Sequence, residues 1–366
     1  MLEFLNLKPE AFGLDISDLS LKIINLKKKG RFLSLASFGD FPVKSGIIKG
    51  GEIKDQKSLT ENIKESLSNA KGEKLATKHI VCSLPEQKAF LQVIQLPKMP
   101  EEDLKSAVIY EAENYIPLPI EEVYLDFQIV APLKNHLDHF DILIAALPRK
   151  TVDPYIACVK GAGLFPVAVE IESQSVSRSL IKDESVAAPV LLIDFSATKT
   201  SFIIFSGNSL RFTSSISVSS QGFTEAISKI IKVDLKEAEK LKIKYGLQGG
   251  KNQEAKKVFE ALVPALTNLV EQVKKHLSFY HTHAFHEHLD SKTKRVEKIL
   301  ICGGGATLKG LCGFLSAQLK IEVELGNPWI NILPKPLKEV PELSFEDSLG
   351  YTTALGLALR GIKKLS

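Results

Sequence analysis

The chain is poor in cysteine. Cys82, Cys158, Cys302 and Cys312 are scattered among 366 residues and no two form a CxxC pair. Each lies in an apolar or glycine-rich stretch, so buried free thiols in a reducing compartment are the plain reading. No apolar run reaches the length of a membrane span. The opening "MLEFLNLKPEAFGLDI" has no basic region leading into an apolar one, which argues against a signal peptide. An excess of one charge is missing too. With 47 basic and 43 acidic residues the net charge is +4, too little to argue for nucleic acid. These absences point to a cytosolic protein whose membrane association comes through a partner or a surface helix. What remains is ordinary globular composition, 44% hydrophobic and 25% charged, in a chain long enough for two domains and a sizeable core.

The pattern of elements repeats. "FGLDI", "LSLKIINL" and "RFLSLASFGDF" read as three short strands in an antiparallel meander. A helix follows at about 57–70 with Leu59, Ile63 and Leu67 at helical spacing, then the strand "HIVCSLP". Residues 88–165 have their own strand, helix, strand, strand, helix order, which suggests a small α+β insert. Beyond the polar connector "KDESVAAP" the opening theme returns in "VLLIDFSATKTSFIIF" and "SLRFTSSISV". Asp194 in "IDFS" falls where Asp15 falls in "LDIS". A duplicated domain with one turn of this kind per half aims two turns at one cleft.

Taken together, "FGLDIS…SLKIINL", "LPKMPEEDLKSAVIYEAENYIPLPIEEVYLDF", "EAEKLKIKYGL", "ILICGGGATLKGL" and "ALGLALR" resemble the actin-like ATPase superfamily, and within it the PilM family. The second stretch is the most specific, because it resembles the inserted subdomain shared with the division protein FtsA. The resemblance implies a duplicated actin-like (ribonuclease H-like) α/β fold. Residues 1–87 form its first subdomain, completed by 166–186 and 346–366. Residues 88–165 are the insert and 187–345 the second domain. It also implies a place in the type IV pilus inner-membrane platform, at the inner face of the cytoplasmic membrane. The expected partners are the cytoplasmic N-terminal segment of a PilN-like membrane protein and the pilus assembly motor, with homo-oligomers also allowed.

By the same resemblance ATP and Mg²⁺ are the cofactors. Asp15 and Asp194 would orient Mg²⁺ through water, and Lys22 would belong to the same phosphate site. Glycine usually follows each Asp at such turns, because bare backbone approaches phosphate closely and tolerates positive φ. Here those places hold Ser17 and Ser196, and Ser219-Ser220 stand where the family has Gly-Gly. On the nucleoside side, Gly303, Gly304 and Gly305 offer bare backbone to adenine or ribose. Glu239 and Lys242 correspond to the positions that meet them, although spacing alone reads both as a solvated helix face. Glu170 and Glu172 end a strand aimed at the cleft. One of them, Glu170 first, is the candidate for positioning an attacking water; capping the following helix is the plainer role. The expectation is a scaffold with a degenerate cleft and slow or absent turnover. Its rivals are an active, filament-forming ATPase like FtsA and a small-molecule kinase, for which no sugar-binding constellation is visible.

Two other features have plain readings. "HTHAFHEH" places His281, His283, His286 and His288 together, and a solvated helix end explains them without a metal. The last helix, with Leu349, Leu355, Leu357, Leu359 and Ile362, reads as core rather than a membrane foot. The proline-rich "LPKMPEEDL" and "NYIPLPIEEV" are candidates for the peptide groove, and "INILP" at 330–334 resembles a PilN docking motif by chance.

Overall fold

A computed structural model describes residues 9–30, 32–130, 138–248, 252–283, 295–334, 336–337 and 339–363. The first lobe opens with the expected meander, β1 (Phe12–Ile16), β2 (Ser20–Lys29) and β3 (Phe32–Pro42). A ribbon of β4 (Ile48–Lys49) and β5 (Glu52–Ile53) leads to α1 (Gln56–Ser68). Asp55 caps this helix by accepting the Ser58 N–H, and its apolar stripe buries Leu59 and Ile63. Then come β6 (Lys71–Gly72) and β7 (His79–Leu84), the latter parallel to β1.

The insert is a three-stranded antiparallel sheet in the order β8 (Phe90–Pro97), β10 (His139–Pro148), β9 (Val123–Val130). It is covered by α2 (Glu101–Ala112), and Ile94, Leu104, Val108, Ile142 and Ile144 form its own core. The expected end of the insert at 165 is too late. α3 (Arg149–Gly161) buries Val152, Tyr155 and Val159 among Phe12, Leu14, Leu59 and Ile63 of the first lobe. Periodicity shows that α3 has an apolar face; only the fold shows that α1 is the element that covers it. β11 (Phe165–Ile171) and α4 (Glu172–Leu180) continue the first lobe.

The second lobe contains β12 (Val186–Phe195), β13 (Thr200–Gly207), β14 (Ser209–Ile216), α5 (Ser220–Ile231), α6 (Leu235–Tyr245) and α7 (Gln253–His283). β15 (Lys298–Cys302), α8 (Leu311–Leu319) and β16 (Glu322–Leu325) complete it. Its sheet order, β14-β13-β12-β15-β16, repeats β3-β2-β1-β7-β11 of the first lobe, whose sheet carries β6 as a sixth strand beyond β3. The duplication read from two short turns is therefore a duplication of topology. α9 (Phe345–Ser348) and α10 (Thr352–Lys363) return to the first lobe, where α10 lies against α4 and β1. That return begins before 346: Trp329, Ile332 and Leu343 already pack with Ile24, Leu26 and α10. Leu349, Leu355, Leu357, Leu359 and Ile362 are all buried, so the last helix is core. "INILP" is also built into the fold. Asn331 donates to the Arg178 and Ile181 carbonyls, and Ile332 is buried. Three cysteines are buried, but Cys312 is only half-buried. Among the described residues no helix is long and apolar enough to cross a membrane.

Candidate functional site

Asp15 and Asp194 are each the penultimate residue of the first strand of their lobe, β1 and β12. The two line one cleft of about 580 Å³ together with Ser17, Lys22, Glu172, Ser196, Lys199, Gly303 and Gly304. Asp15 accepts a 2.8 Å hydrogen bond from Ser83 Oγ, which in turn accepts the Ile16 N–H. Burial lifts the Asp15 carboxyl to about 6; Lys22 pulls it down and Glu172 pushes it up. Burial also raises Asp194, against the 2.6 Å hydrogen bond donated by Ser196 Oγ.

The two turns show why serine is tolerated. Ser17 N–H and Oγ both donate to the Ser20 carbonyl, and Ser17 Oγ accepts from Ser20 N–H at 3.2 Å. Ser196 N–H donates to the Lys199 carbonyl at 3.0 Å. Neither turn uses positive φ: the described non-glycine residues that do are Asp183, Glu184, Lys232 and Lys320. The conformational argument for glycine at these places is thus overturned, because each turn closes in a conformation open to any residue. Behind the second turn, the first N–H groups of α5 are already engaged. Ser220 and Gln221 donate to the carbonyls of Ser196 and Ala197, and Gly222 donates to the capping Ser219 Oγ.

The three glycines after β15 divide by role. Gly303 has φ +86°, and a Cβ there would lie 2.4 Å from Asp194 Oδ1 and 2.5 Å from the Phe195 carbonyl. A Cβ on Gly305 would strike the Phe195 ring at 2.6 Å, whereas one on Gly304 would meet nothing within 4 Å. Gly303 and Gly304 line the cleft; Gly305 packs beneath it. Gly303→Ala is expected to lose about 2–3 kcal/mol through strain and overpacking, and Gly304→Ala less than about 0.5 kcal/mol, in paired urea melts.

Other expected site residues lie elsewhere. Lys242 bonds the Ser220 carbonyl at 2.9 Å, Thr224 Oγ1 at 2.8 Å and Glu239 at 2.8 Å, pinning α6 to α5. Neither Glu239 nor Lys242 lines the cleft. Burial lowers the Lys242 ammonium's pKa, with Glu239 opposing it. Glu170 is not a cleft residue. Its carboxylate is fully buried and held by Arg178, Arg360 and Ser175, which leaves it no role toward an attacking water. Glu172, two residues on, does enter the cleft and pairs with Lys199. Lys199 and Ser83 join the site only in the fold. The internal repeat offers a signal for Lys199: from "LDISDLS" to "IDFSATK" it occupies the place of Ser20. His286 and His288, and the side chain of His283, lie outside the described residues. Among those described, no three His, Cys, Asp or Glu are grouped to hold a metal.

A second hollow, a groove of about 810 Å³, separates the insert from the first lobe. Leu125 and Phe127 of β9 form one wall, Ile156 of α3 and Val169 of β11 the other, and Glu170, Arg178 and Arg360 line it as well. β9 and β11 are both sheet edges, each with one strand partner among the described residues. At β9 the Phe127 N–H is taken by Asp126 Oδ1 at 2.9 Å rather than by a strand. The proline-rich "NYIPLPIEE" is not here; Ile116–Glu121 line a separate hollow beyond α2.

The family description "Type IV pilus assembly protein PilM" matches residues 13–362. The chain belongs to the PilM family. A solved PilM–PilN type IV pilus biogenesis complex is similar over 97% of this chain and 99% of that one, with 28% identity and a TM-score of 0.79. MreB5 of Spiroplasma citri bound to AMPPNP matches 98% of each chain at 12% identity and TM-score 0.58. The ethanolamine utilization protein EutJ from Carboxydothermus hydrogenoformans covers 97% of this chain and 90% of its own at 13% identity, TM-score 0.54. The fold of this PilM-family chain is accordingly the duplicated actin-like α/β fold.

Proposed function

We propose that this protein is a cytosolic adaptor of type IV pilus assembly. It holds the cytoplasmic N-terminal segment of a PilN-like membrane protein in the groove between the insert and the first lobe. That partner keeps it at the inner face of the cytoplasmic membrane, where it links the platform to the assembly motor. The observation that carries this reading is the groove itself. An extended peptide adds to an open strand edge through main-chain hydrogen bonds and seats alternate side chains in apolar pockets. This groove offers open edges on β9 and β11 over apolar walls, in a chain similar to the PilM of a PilM–PilN complex.

The cleft, in this reading, is not a working ATPase site. Gly304 leaves open space in the lining, but part of the phosphate end is already engaged. The Ser17, Ser196, Ser220 and Gln221 N–H groups already have acceptors within the protein, and Lys199 lies against Glu172. Glu170 supplies no base.

A synthetic peptide of the cognate PilN-like N-terminal segment tests the proposal by calorimetry. Phe127→Arg and Ile156→Arg, on opposite walls, should each weaken binding at least about tenfold, roughly 1.4 kcal/mol. Lys240→Ala, on exposed α6, should leave it unchanged. Equal affinity in all of these proteins would refute the groove. Phosphate release from MgATP that Asp194→Ala abolishes would refute the scaffold.

A further inference from the structure

The lining of the cleft raises a charge problem that its lysines answer. Asp15, Glu172 and Asp194 are each only 7% exposed and line one space. Glu86, 4% exposed, lies directly behind them. Its Oε2 accepts the Ser173 N–H at 3.0 Å, and its own N–H donates to Glu172 Oε2 at 3.1 Å. Buried carboxylates in such number need cations or protons. Lys22 is one cation, bonded at 2.7 Å to Ser20 Oγ at the outer side of the first turn. Lys71 also lines the space, with its ammonium 5.9 Å from the centre of the Phe38 ring, and the third cation is Lys199. Its ammonium donates to Glu172 Oε2 and, at 2.7 Å, to Gln87 Oε1.

The origins of these groups matter. Lys199 lies in the turn between β12 and β13 of the second lobe. Glu172 begins α4 and Gln87 follows β7, both in the first lobe. We infer that Lys199 is a resident cation of the cleft, which supplies countercharge to these carboxylates and pins the second lobe's turn to the first lobe. The closed relation of the lobes then belongs to the polypeptide and does not wait for a nucleotide. A soluble cation entering the site must displace an ammonium already tethered beside the carboxylates by its own chain. Burial alone would lower the Lys199 pKa, yet Glu172, Asp194 and Glu86 hold it above the ordinary lysine value, as a permanent countercharge requires.

The test compares the full-length wild type, Lys199→Met and Lys199→Arg. Hydrogen exchange is followed at residues 196–201 and 84–88, and thermal midpoints are read in MgCl₂ and in chelator. The wild-type midpoint should be the same in both. Lys199→Met should exchange at least about tenfold faster at both turns, with a lower midpoint, because the buried carboxylates lose their countercharge. Lys199→Arg, which keeps the charge, should behave as the wild type. Unchanged exchange in Lys199→Met, or a wild-type midpoint that MgCl₂ raises, would overturn the inference. If Lys199→Met does not fold, Gln87→Met removes one anchor from an exposed position. Faster exchange at 196–201 in that protein supports the pin, and unchanged exchange there sinks it.

Discussion

Glu170→Ala is expected to lower stability by about 3–5 kcal/mol, the range for removing one partner of a buried ion pair. Glu170 Oε1 accepts from Arg178 Nη1 at 2.5 Å and from Ser175 Oγ at 2.6 Å. Its Oε2 accepts from Arg178 Nη2 at 3.1 Å and from Arg360 Nη1. Side-chain exposure is 0% for Glu170, 14% for Arg178 and 28% for Arg360. Truncation would leave two guanidinium groups facing each other in the groove without their counterion. Trp329, the sole tryptophan, is buried in the first lobe and reports its urea unfolding directly. A catalytic base would show the opposite pattern, lost phosphate release in a protein of unchanged stability. The pH dependence has a definite sign. Burial pushes the Glu170 carboxyl up, but Arg178 and Arg360 outweigh it and leave the pKa below 4.5. The group's contribution is therefore complete above the unfolded value and fades as pH falls through the depressed one. Asp15 acts in the other direction. Its folded value of about 6 lies above the ordinary 3.8, so stability declines as pH rises between the two. The wild type should lose its Glu170 contribution below about pH 4.5, and Glu170→Ala should have none to lose.

The contrast between Glu170 and Glu172 shows where sequence reading stops. Two residues apart on a strand, they would share a face. But β11 ends at Ile171 and α4 starts at Glu172, so the chain changes from extended to helical between them. The change re-aims Glu172 into the cleft and leaves Glu170 with Arg178. The Asp15 and Asp194 turns were legible because each depends on a few adjacent residues, and duplication placed them symmetrically. A peptide groove is expected from the resemblance, but its lining is not legible. Its lining comes from β9, α3, β11, α4 and α10, which no local pattern connects. Lys199 is hidden in the sequence for a different reason. The signal at these turns is the glycine they lack, whereas the side chain that balances the cleft's charge stands one residue past the tip.

Gly356→Ala should reverse the sign that helix propensity predicts. Alanine is favoured over glycine inside a helix by about 1 kcal/mol, and Gly356 lies within α10. A Cβ there, however, would sit 1.9 Å from the Ser175 carbonyl oxygen and 2.5 Å from its carbon, in the backbone of α4. α10 has no room to retreat. On its other side a Cβ on Gly13 of β1 would come 2.3 Å from the Ala354 carbonyl, and one on Gly361 would come 2.1 Å from the Ala11 carbonyl. Glycine thus marks each close approach along a helix held between α4 and the sheet. α4 is fixed in turn, by Glu172 to Lys199 at one end and by Arg178 to Glu170 and the Gly356 carbonyl further along. Overpacking between backbones that cannot yield lies at or above the upper end of the usual range, about 3 kcal/mol. Gly350→Ala is the control, since its Cβ would make only ordinary contact at 3.8 Å. Trp329 fluorescence in urea should separate the two, and peptide affinity should fall with Gly356→Ala because α4 lines the groove as well as the cleft. A stabilised Gly356→Ala protein would mean that α4 and α10 do not touch here, and the rigid wall shared by groove and cleft would go with that contact.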